Sequence, residues 1–142
     1  MRISDVVRRK GSHVVTVSPE APVTELLDLL AEHRIGAVVV SRDGAQVHGI
    51  VSERDIVRHL QSDGAAMLTA LVSSIMTSEV HTCVPETELA ELESVMTEQR
   101  VRHIPVVAEG RLLAIVSIGD VVKNRIDDLQ AERDQLRHYI QT

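Results

Sequence analysis

Gly49-Ile50-Val51-Ser52-Glu53-Arg54-Asp55 returns 65 residues later as Ala114-Ile115-Val116-Ser117-Ile118-Gly119-Asp120, and this pair decides the fold. In each copy an apolar, β-branched run ends on a serine, and an aspartate follows three residues on. Such a run has the make-up of a buried strand, serine is a preferred helix N-cap, and acidic residues favour a helix's first turn. Each copy therefore reads as a strand passing directly into a helix. Upstream, Thr16-Val17-Ser18-Pro19-Glu20 matches Thr82-Cys83-Val84-Pro85-Glu86 at an offset of 66, so the copies keep order and spacing except for one residue lost at a hairpin. A repeat of this length means two similar units built to pack on each other.

The stretches between these landmarks fill in one pattern twice. In the first copy His13 to Val17 reads as a strand, Thr24 to Arg34 as a helix, Ile35 to Ser41 and Gln46 to Val51 as a hairpin, and Glu53 to Leu60 as a helix. In the second, His81 to Val84 is the strand, Leu89 to Arg100 the helix, Val101 to Val107 and Arg111 to Val116 the hairpin, and Gly119 to Arg125 the closing helix. The order is βαββα in both, an α+β fold. The lead-ins Ile3-Ser4-Asp5-Val6-Val7 and Val72-Ser73-Ser74-Ile75-Met76 also correspond, each a short helix delivering the chain to its strand. This divides the chain into a first repeat (1–61), a connection (62–71), a second repeat (72–126) and a C-terminal amphipathic helix (127–142). On that helix Val122, Ile126, Leu129, Leu136 and Ile140 form one stripe, interrupted by Arg133. The stripe is expected to pack on the chain's own repeats, the alternative being a dimer contact.

Composition narrows the function. At 142 residues the chain suffices for two half-domains sharing a core, and neither repeat is expected to be stable alone. No apolar run is long enough to span a membrane and no signal-peptide core opens the sequence, so a cytoplasmic location is expected. The net charge of −6 argues against nucleic-acid binding, which needs a basic face. With no Phe, no Trp and only Tyr139, a bound base must lie between aliphatic side chains. The seven histidines lack zinc-site spacing, Cys83 reads as a small core residue, and no Walker, Gly-x-Ser-x-Gly or Gly-x-Gly-x-x-Gly motif occurs, so no enzyme activity is expected.

The Ser-x-x-Asp motif admits two chemistries. It can be a capping arrangement in which the aspartate complements the helix dipole and binds nothing. It can equally be half of a nucleotide site, with Asp55 accepting hydrogen bonds from ribose hydroxyls, Ser52 serving ribose or phosphate, and Arg54 offering a fork for phosphate. Its recurrence as Ser117 and Asp120 favours the second reading.

The βαββα repeat with its Thr-x-x-Pro opening, the strand Arg102-His103-Ile104-Pro105-Val106-Val107 and the close Gly49-Ile50-Val51-Ser52-x-x-Asp55 resembles the CBS domain, named for cystathionine β-synthase. The resemblance covers residues 1–126 as a tandem pair, similar to stand-alone bacterial CBS-pair proteins and plant organelle relatives. It implies a Bateman module: two repeats about a pseudo-twofold axis with two clefts for adenosine-containing ligands such as AMP, ADP, ATP, NAD or S-adenosylmethionine. Carried over, the first cleft uses Thr16, Ala21, Ile35 and Gly36 at the base and Ser52 and Asp55 at the ribose. The second uses Thr82, Thr87, Val101 and Arg102 at the base, then Ser117 and Asp120. Arg102 and His103 are also expected to reach phosphates in the first cleft. Their counterparts Gly36 and Ala37 are neutral and Arg54 is matched by Gly119, so the first cleft is expected to hold phosphorylated ligand better. Val38-Val39 stands where the family has hydrophobe-Pro, and Ala114 replaces the usual Gly, which is expected to narrow the second cleft.

The implied function is regulatory: a homodimer that binds an adenine nucleotide, needs no other cofactor, and changes how it engages an unknown protein effector. The alternative is a constitutive dimeric scaffold whose clefts are vestigial.

Overall fold

The computed structural model describes residues 1–141 and shows the two expected repeats, each a small sheet backed by helices. In the first, β1 (Thr16–Val17) runs parallel to β2 (Ala37–Val40), and β2 pairs antiparallel with β3 (Gly49–Ser52). Helix α2 (Val23–His33) carries the chain from β1 to β2, and α3 (Glu53–Asp63) leaves β3 without a break. All four residues of β2 are buried, as expected for a central strand covered on both faces. The second repeat follows with α4 (Leu89–Gln99), the hairpin β4 (His103–Ala108) and β5 (Arg111–Ser117), and α5 (Ile118–Gln141). Both α2 and α4 end on an arginine in the left-handed region, Arg34 at φ 53° and Arg100 at φ 54°.

The strand expected at His81 to Val84 is reduced to one bridge, Cys83 against Val106, the counterpart of Val17 against Val40. The Cys83 N–H donates to the Pro105 carbonyl (3.0 Å), and Val107 N–H donates to the Cys83 carbonyl (2.8 Å). Pro105 stands where the first sheet has Val39 and has no N–H to donate, so the rung that would extend this pairing toward His81 cannot form.

The lead-ins change places. Helix α1 (Ile3–Lys10) buries Ile3 and Val6 completely in the core of the second repeat, against Leu89, Leu92, Ile104 and Val116. Val72 and Ile75 join the first core, against Val23, Leu26, Val38 and Val51. The exchange is symmetric in its hydrogen bonds. Ile3 N–H donates to Thr87 O (2.9 Å) as Val72 N–H does to Ala21 O (2.8 Å), and Ser4 N–H to Pro85 O (2.9 Å) as Ser73 N–H does to Pro19 O (2.9 Å). Each core is thus completed by the other repeat's lead-in.

Two expectations about the C-terminus are corrected. The closing helix of the second repeat and the tail form one continuous helix of 24 residues. Its apolar stripe does not pack on the repeats: Val122 is 50% exposed, Leu129 55%, Leu136 62% and Ile140 80%. Only Val121 and Asn124 on the opposite side are buried, so the body has no surface left under the stripe. Thr142, the last residue of the expected tail, lies outside the described residues.

Candidate functional site

The sequence places a cap at the start of α3 and another at the start of α5, and the structure closes both in the same way. Ser52 N–H and Oγ–H donate to Asp55 Oδ2 at 2.8 and 3.1 Å, while Asp55 N–H donates back to Ser52 Oγ at 3.4 Å. Ser117 and Asp120 repeat this at 2.9, 3.0 and 3.1 Å. These are reciprocal capping boxes, so helix capping alone accounts for the recurrence of Ser-x-x-Asp. The recurrence is therefore no argument for a ligand, and what else stands around each cap becomes decisive.

A cavity of about 560 Å³ lies where the two helix starts converge, within the range typical of small-molecule sites. It straddles the pseudo-twofold relation: Ser52 and Ser117, Arg54 and Gly119, Gly36 and Arg102, Ala37 and His103 all line it as matched pairs. It leans toward the first repeat, because Asp55 and Arg58 line it while Asp120 and Lys123 do not. The segment Thr77 to His81 forms its remaining wall. Its start is tied to β3, with Thr77 and Ile50 exchanging N–H to carbonyl bonds of 2.9 Å.

Of the residues proposed for the first cleft, Gly36, Ser52, Arg54 and Asp55 line this cavity together with Arg102 and His103 from the other repeat. Val101 and Ser117, assigned to a second cleft, line the same cavity instead, because the space sits across the pseudo-axis and not beside it. Thr16, Ala21, Ile35, Thr82, Thr87 and Asp120 are not part of its wall. Thr16 belongs to β1, Thr82 is exposed, and Ile35 packs against the first core. Ala21 and Thr87 are the carbonyl acceptors that hold the exchanged lead-ins. Asp120 is also bound by Lys10, whose Nζ lies 2.5 Å from Asp120 Oδ2 and 2.7 Å from the Ile115 carbonyl. Ala114 is buried in the second core.

Sequence reasoning missed Arg58, Arg100, Glu53, Glu79 and His81 in this wall. Arg58 had a signal, since it follows Arg54 by four residues and so shares its helix face. Glu53 adjoins Ser52 at the start of α3 and Arg100 closes α4, while Glu79 and His81 reach the cavity through the exchange of the lead-ins, which the sequence does not disclose.

The electrostatics favour an anion. Arg54, Arg58, Arg100 and Arg102 face three carboxylates, Glu53, Asp55 and Glu79, and the N-terminal ends of α3 and α5 add positive dipole. Burial, then Lys10, hold the pKa of His103 below its ordinary value, so at neutral pH it is an uncharged hydrogen-bonding group and not the cation expected. Burial raises the Asp120 carboxyl, but hydrogen bonds from Lys10 and Ser117 outweigh it and leave the net pKa lowered. Arg9 Nη1 adds a bond to Asn124 Oδ1 (3.0 Å), so α1 is pinned to α5 at two points.

Comparison with known proteins agrees with this geometry. The CBS domain family model matches residues 3–62 and again 72–127. The chain is 34% identical over 147 residues to the mitochondrial CBS domain-containing protein CBSX3 of Arabidopsis thaliana, covering 98% of this chain and 71% of that protein. Among solved structures it superimposes with a TM-score of 0.84 and 45% identity on the CBS-domain containing protein ATU1752 of Agrobacterium tumefaciens, covering 88% of this chain and 99% of that one. It also superimposes with a TM-score of 0.75 and 27% identity on the CBS domain protein PAE2072 of Pyrobaculum aerophilum complexed with AMP, covering 84% and 89%. With two matched repeats, the exchanged lead-ins and a shared cavity, the chain belongs to the CBS-domain family as a tandem pair.

Proposed function

We propose that this protein is a regulatory module that binds a phosphorylated, adenosine-containing ligand in the cavity between its repeats. One observation carries the reading: Ser52, Arg54 and Asp55 of the first repeat meet Arg100, Arg102 and His103 of the second around one space of about 560 Å³. A ligand bridging two repeats interacts differently with two arrangements of them, which is the condition for shifting an equilibrium between the two. That the Pyrobaculum relative is complexed with AMP supports the adenosine half. The arginines support the multiply charged phosphates over S-adenosylmethionine, whose single carboxylate is offset by its sulfonium and ammonium, so AMP, ADP, ATP and NAD rank ahead of it. The module acts as a homodimer on a protein effector and turns nothing over.

Thermal denaturation with AMP, ADP, ATP, NAD and S-adenosylmethionine tests this. A ligand at ~100 times its dissociation constant adds about 2.7 kcal/mol of stability. The expected result is a rise in Tm with a phosphorylated ligand, abolished in Arg54→Ala/Arg102→Ala. No rise with any of the five would leave a scaffold with vestigial clefts as the better account.

A further inference from the structure

The stripe on α5 follows a strict alternation of four- and three-residue steps: 122, 126, 129, 133, 136 and 140. In heptad terms Ile126, Arg133 and Ile140 take the a positions, and Val122, Leu129 and Leu136 take d. Every one is exposed, and from Leu129 onward every described residue of the helix is exposed, so this half projects from the body. The face spans roughly 28 Å at 1.5 Å per residue.

We infer that this face is the seam of a parallel two-stranded coiled coil with a second copy of the same chain. This rests on the homodimer of the proposed function and specifies how it is held. Isoleucine at a with leucine at d is the combination that favours two parallel strands. The flanking charges select the orientation. In a parallel pair the g position of one helix faces the e position five residues later on its partner, which sets Glu132 opposite Arg137 twice. In the antiparallel pair that keeps the stripe in register, g faces g and e faces e, so Glu132 meets its own copy and Lys123 meets Arg137. The sequence thus pairs opposite charges one way and like charges the other. Arg133 places one polar layer in the seam, a device that fixes register at a cost in stability.

The arrangement ties assembly to the cavity. Helix α5 begins in the cavity wall at Ile118 and Gly119 and runs unbroken into the stripe, so a parallel seam sets the two cavities of a dimer at the same end of one rigid helix pair.

The test is sedimentation of the full chain, mass 15.6 kDa, beside Leu129→Glu/Leu136→Glu and Arg133→Ile, together with oxidative cross-linking of Leu136→Cys. The expected outcome is twice the chain mass for the wild type, the single-chain mass for the double glutamate variant with unchanged Tm of the repeats, and a tighter dimer for Arg133→Ile. Leu136→Cys should form a covalent dimer, because parallel helices bring this d position against its own copy, while the native Cys83 is buried. A wild-type dimer that survives both glutamates overturns the seam and leaves the homodimer standing. A wild-type monomer overturns both. Cross-linking between Ile126→Cys and Leu136→Cys chains but not within Leu136→Cys alone overturns the parallel orientation.

Discussion

At the start of α3 the Asp55 carboxylate is engaged only by its own cap among the described residues, whereas at the start of α5 Asp120 is also gripped by Lys10 from the far end of the sequence. The caps themselves make the same three hydrogen bonds, and the surroundings differ. At the place where the lead-in of the second repeat carries Glu79 into the cavity wall, the lead-in of the first carries Lys10 onto Asp120. The cause lies in the backbone. α1 remains helical to Lys10, while the other lead-in leaves its helical turn at Ser74 and bridges β3 at Thr77. Gly49 permits that approach, since a Cβ there would lie 2.7 Å from Met76 Sδ and 2.9 Å from the Thr77 carbonyl. Its counterpart in the other repeat, Ala114, already carries a Cβ and is buried in the second core. Duplication preserved what the fold needs, the cap, and released what a ligand would read, the groups around it.

The sharpest way to break this comparison is to remove the charges that only one side has. Arg54→Ala/Arg102→Ala is expected to weaken binding of AMP or ATP by about 100-fold or more, since each charged hydrogen bond contributes roughly 1.5–3 kcal/mol. Both side chains are exposed, so Tm without ligand should hardly move. Asp55→Ala should cost more affinity than Asp120→Ala in the same titration calorimetry. Equal losses would mean the two starts are functionally alike.

Next in size is the glycine. Gly49→Ala is expected to destabilise by about 1–3 kcal/mol, because the new methyl meets backbone as well as the flexible Met76. The reverse change, Ala114→Gly, should cost about 1 kcal/mol or less. Urea denaturation of both variants measures the gap, and similar values would remove the explanation given for the two lead-ins.

The latch on α5 comes third. Lys10→Met is expected to lower stability by about 1–2 kcal/mol at neutral pH, as Lys10 and Asp120 are each less than a third exposed. The sign of its pH dependence follows from Asp120, whose folded pKa is lowered. A lowered carboxyl contributes stability above its unfolded value, and that contribution disappears as pH falls through the folded one. The Tm gap between wild type and Lys10→Met should therefore close below the ordinary carboxyl value of 3.8. A gap that persists in acid would place the stabilisation in the packing of the lysine stem.

Much of this was legible in the chain. The repeat gave the βαββα order and both caps, because apolar runs and Ser-x-x-Asp are local signals. The exchange of lead-ins was not legible: the two segments resemble each other, and a sequence that is symmetric between copies cannot say whether Ile3 packs at home or across. For the same reason the sequence alone does not disclose that Val101 and Ser117 line one cavity with Ser52. Lys10 and Asp120 are 110 residues apart, and nothing near either one announces the other. On α5 the heptad was visible, but whether the body would cover it depended on how Val121 and Asn124 turned the helix.

The smallest expected effect tests where the phosphate sits. His103 is kept neutral first by burial and then by Lys10, with Arg102 acting in the same direction and Asp120 and Glu53 opposing. A phosphate bound beside it would favour the imidazolium and raise its pKa, so the complex binds more protons than the empty site between the two pKa values. Affinity should then increase as pH falls through that window, and binding should take up a fraction of one proton. Calorimetry in buffers of different ionisation enthalpy measures the uptake, and His103→Gln should abolish it while changing affinity only about twofold at about pH 8, where the imidazole is neutral in either state. If wild type took up no proton, the phosphate would lie away from His103, toward Arg54 and Arg58. The asymmetry between the two helix starts would then belong to α3 alone.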